Sequence, residues 1–219
     1  MRATLIGRFL LLSIVCLAVL LPAWYWAARW LAAPPIWLAG TVMKALFGWV
    51  EGFEQQGVTA VLNTLVQVRM QGPTGADVLG ELAPEVNYPV YGYGLVLLWA
   101  MLIAARLTTR TPYWWLKGLI GSVILIPAQA WGICFQWLRD VVLLSGPSGA
   151  AYLNYSPLAA NGIAYGYQFG FLMLTPVAPI LLWLIFNKRF VAALWLEAAL
   201  AGAPEQQPAQ PPVKSSGDS

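Results

Sequence analysis

Four apolar runs, residues 9–31, 88–107, 113–144 and 163–186, constrain this chain more than any other feature. Each is dominated by Leu, Ile, Val, Ala and Trp. Each also reaches the roughly 20 residues a helix needs to cross a hydrocarbon core about 30 Å thick. A soluble fold of 219 residues could not bury that much apolar surface, since 59% of the residues are hydrophobic and only 10% are charged. The expected fold is an all-α integral membrane protein with four transmembrane helices. Residues 1–195 read as the membrane domain. Residues 196–219, rich in Pro, Gln, Ala and Ser, read as a disordered tail without the apolar residues to fold.

The first run follows Arg2 and Arg8 and ends in Trp24, Tyr25, Trp26 and Trp30, an aromatic belt of the kind found at a membrane interface. It is longer than a signal-peptide core and reads as an uncleaved helix. Residues 34–87 then form an external segment. After Pro34-Pro35, the residues Ile36, Ala39, Met43, Leu46, Phe47 and Val50 recur at helical spacing, with Gly40, Thr41, Lys44, Gly48 and Glu51 opposite them. This stretch is too short to span and predicts an amphipathic helix on the outer leaflet. Residues 58–70 fit a helix by period, but their β-branched content and flanking Gly57 and Gly72-Pro73 favour a small strand or hairpin. Residues 71–86, with Asp77, Glu81 and Glu85, read as a solvated loop, as do 145–160.

Four spans place both termini on one side. With the termini inside, Arg2, Arg8, Arg106, Arg110, Lys117, Lys188, Arg189 and Lys214 are internal, and Arg29, Lys44, Arg69 and Arg139 are external. That split follows the positive-inside rule and predicts a multi-pass membrane protein with cytoplasmic termini. The surrounding lipid is then the first partner.

The composition also excludes chemistry. The chain has no His, which removes the commonest general base and the commonest zinc ligand. Its two cysteines, Cys16 and Cys134, both sit in apolar runs and read as small buried hydrophobes. No metal and no cofactor is expected. A net charge of +3, spread as above, makes no nucleic-acid surface.

The polar residues that stand out lie at the external face. Arg139 closes the third run, and Gln136 precedes it by one turn on the same face. Asp140 is adjacent, but neighbouring helical residues point about 100° apart, so Arg139 is expected to be free for an acidic loop residue or a ligand carboxylate. The second and fourth runs open with the same pattern, Asn-x-x-x-Tyr-Gly-Tyr. It occurs as Asn87 to Tyr93, containing Tyr91, Gly92 and Tyr93, and as Asn161 to Tyr167, containing Tyr165, Gly166 and Tyr167. Two readings stand. Either these are interfacial aromatics beside a snorkelling Arg, or Arg139, Gln136, Tyr91, Gly92, Tyr93, Asn161, Tyr165 and Tyr167 line one binding pocket.

This order of elements resembles the exosortase/archaeosortase family of membrane transpeptidases, over roughly residues 5–190. Gln136-Trp137-Leu138-Arg139 is similar to that family's Asn-x-x-Arg signature, with Gln in place of Asn. Tyr91-Gly92-Tyr93-Gly94-Leu95 stands where the family carries its nucleophilic Cys. Asn161 or Tyr165 stands where a His or Arg is expected. The family cleaves C-terminal sorting signals from exported bacterial proteins. The resemblance implies a retained scaffold without the catalytic groups: a non-catalytic, exosortase-associated protein binding an exosortase or a sorting-signal helix. Cys134 is a poor replacement nucleophile, about 7.5 Å deeper than Arg139 along the helix and turned away from it by about 140°. The competing expectations are a small transporter or channel subunit, and an active membrane cysteine peptidase using Cys134.

Overall fold

Leu5–Leu31 forms one continuous helix, α1, in the computed structural model, which describes residues 5–71, 77–109, 111–146 and 153–201. Leu10, Leu11, Ile14, Val15 and Val19 face outward along it, while Phe9, Trp24 and Ala28 turn inward. A helix that leaves this much Leu and Val uncovered needs lipid as its solvent. Its belt residues divide in the same way: Tyr25, Trp26 and Trp30 are exposed, and Trp24 packs on Tyr88.

Three further helical rods are long and apolar enough to cross a membrane: Pro89–Thr109 (α3), Trp114–Leu144 (α4) and Pro157–Phe186. The fold is thus four candidate spans with small sheets at one end. α3 is the central rod, packed against α1, α4 and the last span, and buried on most of its surface. Its small residues permit this. The missing side chain of Gly94 leaves room for the backbone carbonyl of Thr175, which would lie 2.7 Å from a Cβ there. Pro179 has no N–H to donate to that carbonyl in the ordinary i−4 pattern, so a close, side-chain-free neighbour suits it.

The last span is three pieces in line: Pro157–Gln168 (α5), a π-helical stretch Phe169–Leu174, and Thr175–Phe186 (α6). Pro176 and Pro179 disrupt the i−4 ladder, and the wider π turn accommodates that. Thr175 closes the turn by donating its Oγ1 to the carbonyl of Gly170 at 2.8 Å. The span begins earlier than residue 163, because Ser156 caps α5 by accepting from the N–H of Ala159 at 3.2 Å and Pro157 fits the first turn. Residues 157–160 are therefore helix rather than loop, and 147–152 lie outside the described residues.

Pro34 and Pro35 begin a second helix, α2 (Ala33–Leu46), as residues of its first turn. It is shorter than expected, because Phe47 turns extended and Val50 and Glu51 join a strand. Gly40, expected on the polar face, lies in the packed one, where the ring of Phe53 occupies the space a Cβ would take. α2 packs along α4.

Strands follow: β1 (Val50–Gln56), β2 (Thr59–Thr64), β3 (Gln67–Gln71), β4 (Asp77–Glu81) and β5 (Glu85–Asn87). They make a three-stranded antiparallel sheet in the order β1-β2-β5 and a separate β3-β4 hairpin. Gly57, at φ +66°, supplies the tight turn between β1 and β2. The strand reading of residues 58–70 holds. The loop reading of 71–86 does not, because 77–81 and 85–87 are paired strands; residues 72–76 lie outside the described residues. Both sheets are fixed to α4. Trp137 donates its indole N–H to the carbonyl of Ala60 at 3.3 Å, and Val141 packs with Val66, Val68 and Leu82. A helix of 31 residues is about 46 Å long, so α4 outruns a 30 Å core and carries its last turns into the sheet layer.

At the opposite end Asn187 breaks the last span, and α7 (Lys188–Ala201) continues the chain. The helix runs six residues past position 195, where the tail was expected to begin; 202–219 lie outside the described residues. Phe190 packs on Phe9 and Trp183, which ties α7 to the start of α1.

Candidate binding site at the sheet end of the bundle

Gln136 and Arg139 stand on one face of α4, one turn apart, where α4 meets the first turn of α3 and the last turn of α5. Glycines bring these helices together. The ring of Tyr91 fills the space beside Gly132, and the ring of Phe135 fills the space beside Gly166. Trp131 donates its indole N–H to the carbonyl of Gly166 at 3.1 Å, which sets the height of α5 against α4. Close packing at small residues, reinforced by one interhelical hydrogen bond, is a common way for membrane helices to associate.

Tyr91 is fully buried and donates its hydroxyl to Gln136 Oε1 at 2.8 Å. Tyr91 also meets Phe171 edge-on, at 6.5 Å between centroids, and Phe171 stacks parallel on Tyr167 at 6.0 Å. The guanidinium of Arg139 lies over the ring of Tyr167, 4.3 Å from its centroid. The cluster is thus a polar pair and a cation joined through three aromatic rings.

Arg139 is not free, contrary to the expectation from helix geometry. Its Nε and Nη2 both donate to Asp140 Oδ1, at 2.9 and 2.6 Å, and this is the one ion pair among the described residues. The 100° separation describes where side chains leave the backbone. An Arg arm is long enough to fold sideways onto a neighbouring short carboxylate. The pair leaves Nη1 without a hydrogen-bond partner among the described residues, and the Arg139 side chain is 32% exposed. What remains is a half-open guanidinium, held by Asp140 and placed over the ring of Tyr167. It can donate to a carbonyl or carboxylate that arrives from outside.

Four of the eight expected pocket residues therefore converge: Arg139, Gln136, Tyr91 and Tyr167. The other four are placed elsewhere. Gly92 receives the ring of Tyr88. Tyr93 is half-buried in the main core. Asn161 is exposed, and Tyr165, 72% exposed, points away from the bundle. The two Asn-x-x-x-Tyr-Gly-Tyr patterns are not used alike, since the first contributes its leading Tyr and the second its trailing one. Asp140, Phe171 and Gly132 belong to the cluster and were missed. Only Asp140 carried a visible signal, its adjacency to Arg139.

Cys134 takes the other side of α4. It is buried beneath α2, and its Sγ lies 3.6 Å from the carbonyl of Ala39. Next to it is an apolar groove of about 450 Å³ between α2 and α4. Among the described residues no group of His, Cys, Asp or Glu is arranged to hold a metal ion.

The family described as exosortase H-associated membrane protein matches residues 3–190. No curated protein and no solved structure matches.

Proposed function

The chain belongs to the family of exosortase H-associated membrane proteins, and from that premise we propose that it is a non-catalytic partner in C-terminal sorting. In this reading it sits in a bacterial inner membrane and binds an exosortase, or the sorting-signal helix of an exported protein, through the Arg139 cluster. The observation that carries the proposal is the division of labour across α4. The one thiol near the signature faces α2, in apolar surroundings and bonded only to a backbone carbonyl, while the cation faces α5 with part of its fork open. A nucleophile needs an activating partner within hydrogen-bond reach, and the chain has no His to supply one. A half-satisfied guanidinium at a membrane interface is suited to gripping a backbone carbonyl or carboxylate of a second helix.

The charge distribution supports a sidedness as well. Glu51, Glu54, Asp77, Glu81, Glu85 and Asp140 belong to the sheet end with Arg29, Lys44, Arg69 and Arg139, whereas Arg8, Arg106, Lys117, Lys188 and Arg189 belong to the far end with Glu197 alone among the described acids. The positive-inside rule then puts the sheets and Arg139 on the export side and both termini in the cytoplasm. That is the side on which a sorting signal would be processed.

The test is a Cys16→Ala/Cys134→Ala double variant in a strain that lacks the native chain. Sorting should be restored to the wild-type level, and the exosortase should still co-purify. If the double variant inserts and keeps its partner but sorting fails, the chain is an enzyme and the proposal is wrong.

A further inference from the structure

The far end of the bundle holds a cavity of about 540 Å³ that the sheet-end cluster does not touch. It opens where α3 ends, α4 begins and α6 gives way to α7, at the ends of three of the four candidate spans. Three cations line it: Lys117 from the first turn of α4, and Lys188 and Arg189 from the first turn of α7. Among the described residues no carboxylate lines it and none of the three cations has an ion pair. The nearest acid along α7 is Glu197, more than two turns further on.

One of the three cations, Lys117, is held in place. Asn187, 3% exposed, accepts from Lys117 Nζ at 3.1 Å through its Oδ1 and donates its Nδ2 to the carbonyl of Trp183 at 2.9 Å. The residue that breaks the last span therefore also anchors the ammonium group. α4 starts without a side-chain cap, so the positive end of its dipole faces the same boundary. Three gathered positive charges with no counter-charge repel one another, and an anion placed among them removes that repulsion. Thr109, Thr111 and Asn187 add neutral polar groups, and the apolar part of the wall includes Phe186, Phe190 and Ile185, the last 57% exposed.

We propose that this cavity binds the phosphate of an anionic phospholipid, with Lys117, Lys188 and Arg189 around the headgroup and an acyl chain along the outer face of α6. Basic pockets at helix ends on one membrane face have the chemistry for such headgroups. A soluble phosphate would share the cationic contacts but has nothing to place against the apolar wall.

The experiment uses the full chain reconstituted in nanodiscs of phosphatidylglycerol mixed with phosphatidylcholine, and measures the lipid retained after stepwise detergent washing by native mass spectrometry. The wild-type chain should retain phosphatidylglycerol about tenfold over phosphatidylcholine. The Lys188→Gln/Arg189→Gln variant should bring that ratio near one, while Lys188→Arg should keep it. Lys44→Gln, a charge removed from α2 at the other end, should leave it unchanged. Millimolar inorganic phosphate should not displace the lipid. No preference in the wild type, or a preference that survives loss of Lys188 and Arg189, would overturn the proposal. Displacement by inorganic phosphate would assign the cavity to a soluble anion instead.

Discussion

Neighbouring residues on a helix leave the axis about 100° apart, yet Arg139 reaches Asp140 through both Nε and Nη2 while its guanidinium carbon lies over the ring of Tyr167. That geometry depends on a planar fork, which Lys lacks even though it keeps the charge. Arg139→Lys should therefore weaken co-purification of the exosortase by roughly tenfold, the loss expected when a charge-assisted bond of about 1.5 kcal/mol or more is removed. A snorkelling Arg would tolerate the change without effect. Tyr91→Phe removes the donor to Gln136 and leaves a half-buried amide oxygen without it. The fold should lose about 1–3 kcal/mol, measured as a lower denaturation midpoint in detergent. At this scale the sequence was half informative. Gln136 and Arg139 were legible because one turn separates them on a long helix. Tyr165 and Tyr167 were not distinguishable, since a repeated Tyr-Gly-Tyr says nothing about which tyrosine faces the neighbouring helix.

Among the elements, the four spans were legible from apolar run length, because in lipid a run of that length has little alternative to helix. The small sheets were only partly legible. Residues 58–70 carried β-branched residues, but β4 and β5 are short and sit among Gly, Pro and acids, so their pairing depends on partners that are distant in sequence. The π turn ahead of Pro176 depends on the same kind of tertiary detail. Two glycines on α5 isolate the helix–helix packing term. Gly166 is filled by Phe135, whereas Gly162, one turn earlier, has nothing within 4 Å of a built Cβ. Gly166→Ala should destabilise the bundle by about 1–3 kcal/mol through overpacking. Gly162→Ala should be neutral or stabilising by up to about 1 kcal/mol, through helix propensity alone. Paired unfolding midpoints measure the difference, and equal values would mean that α5 is not seated on α4 in this register.

At the scale of the whole molecule, Arg8, Arg106, Lys117, Lys188 and Arg189 stand at the far end with Glu197, while six carboxylates stand at the sheet end with Arg29, Lys44, Arg69 and Arg139, and the proposed orientation rests on that difference. In a background with both native cysteines replaced, Gln56→Cys should react with a membrane-impermeant maleimide in intact spheroplasts, and Lys188→Cys only after lysis. The reverse pattern would turn the molecule over and put Arg139 in the cytoplasm. The central claim, that the Arg139 face is where the exosortase or its substrate docks, is most directly tested by photo-crosslinking in cells that carry the sorting system. A benzoylphenylalanine probe is placed at Tyr167 in the cluster, at Leu143 one turn beyond Arg139, and at Tyr165 on the outward face of the same helix as Tyr167. The account predicts one shared protein adduct from positions 167 and 143, identified as the exosortase or the sorting-signal segment, and lost on Arg139→Lys. No such adduct from either position, or one that persists unchanged when Arg139 is replaced, would contradict it.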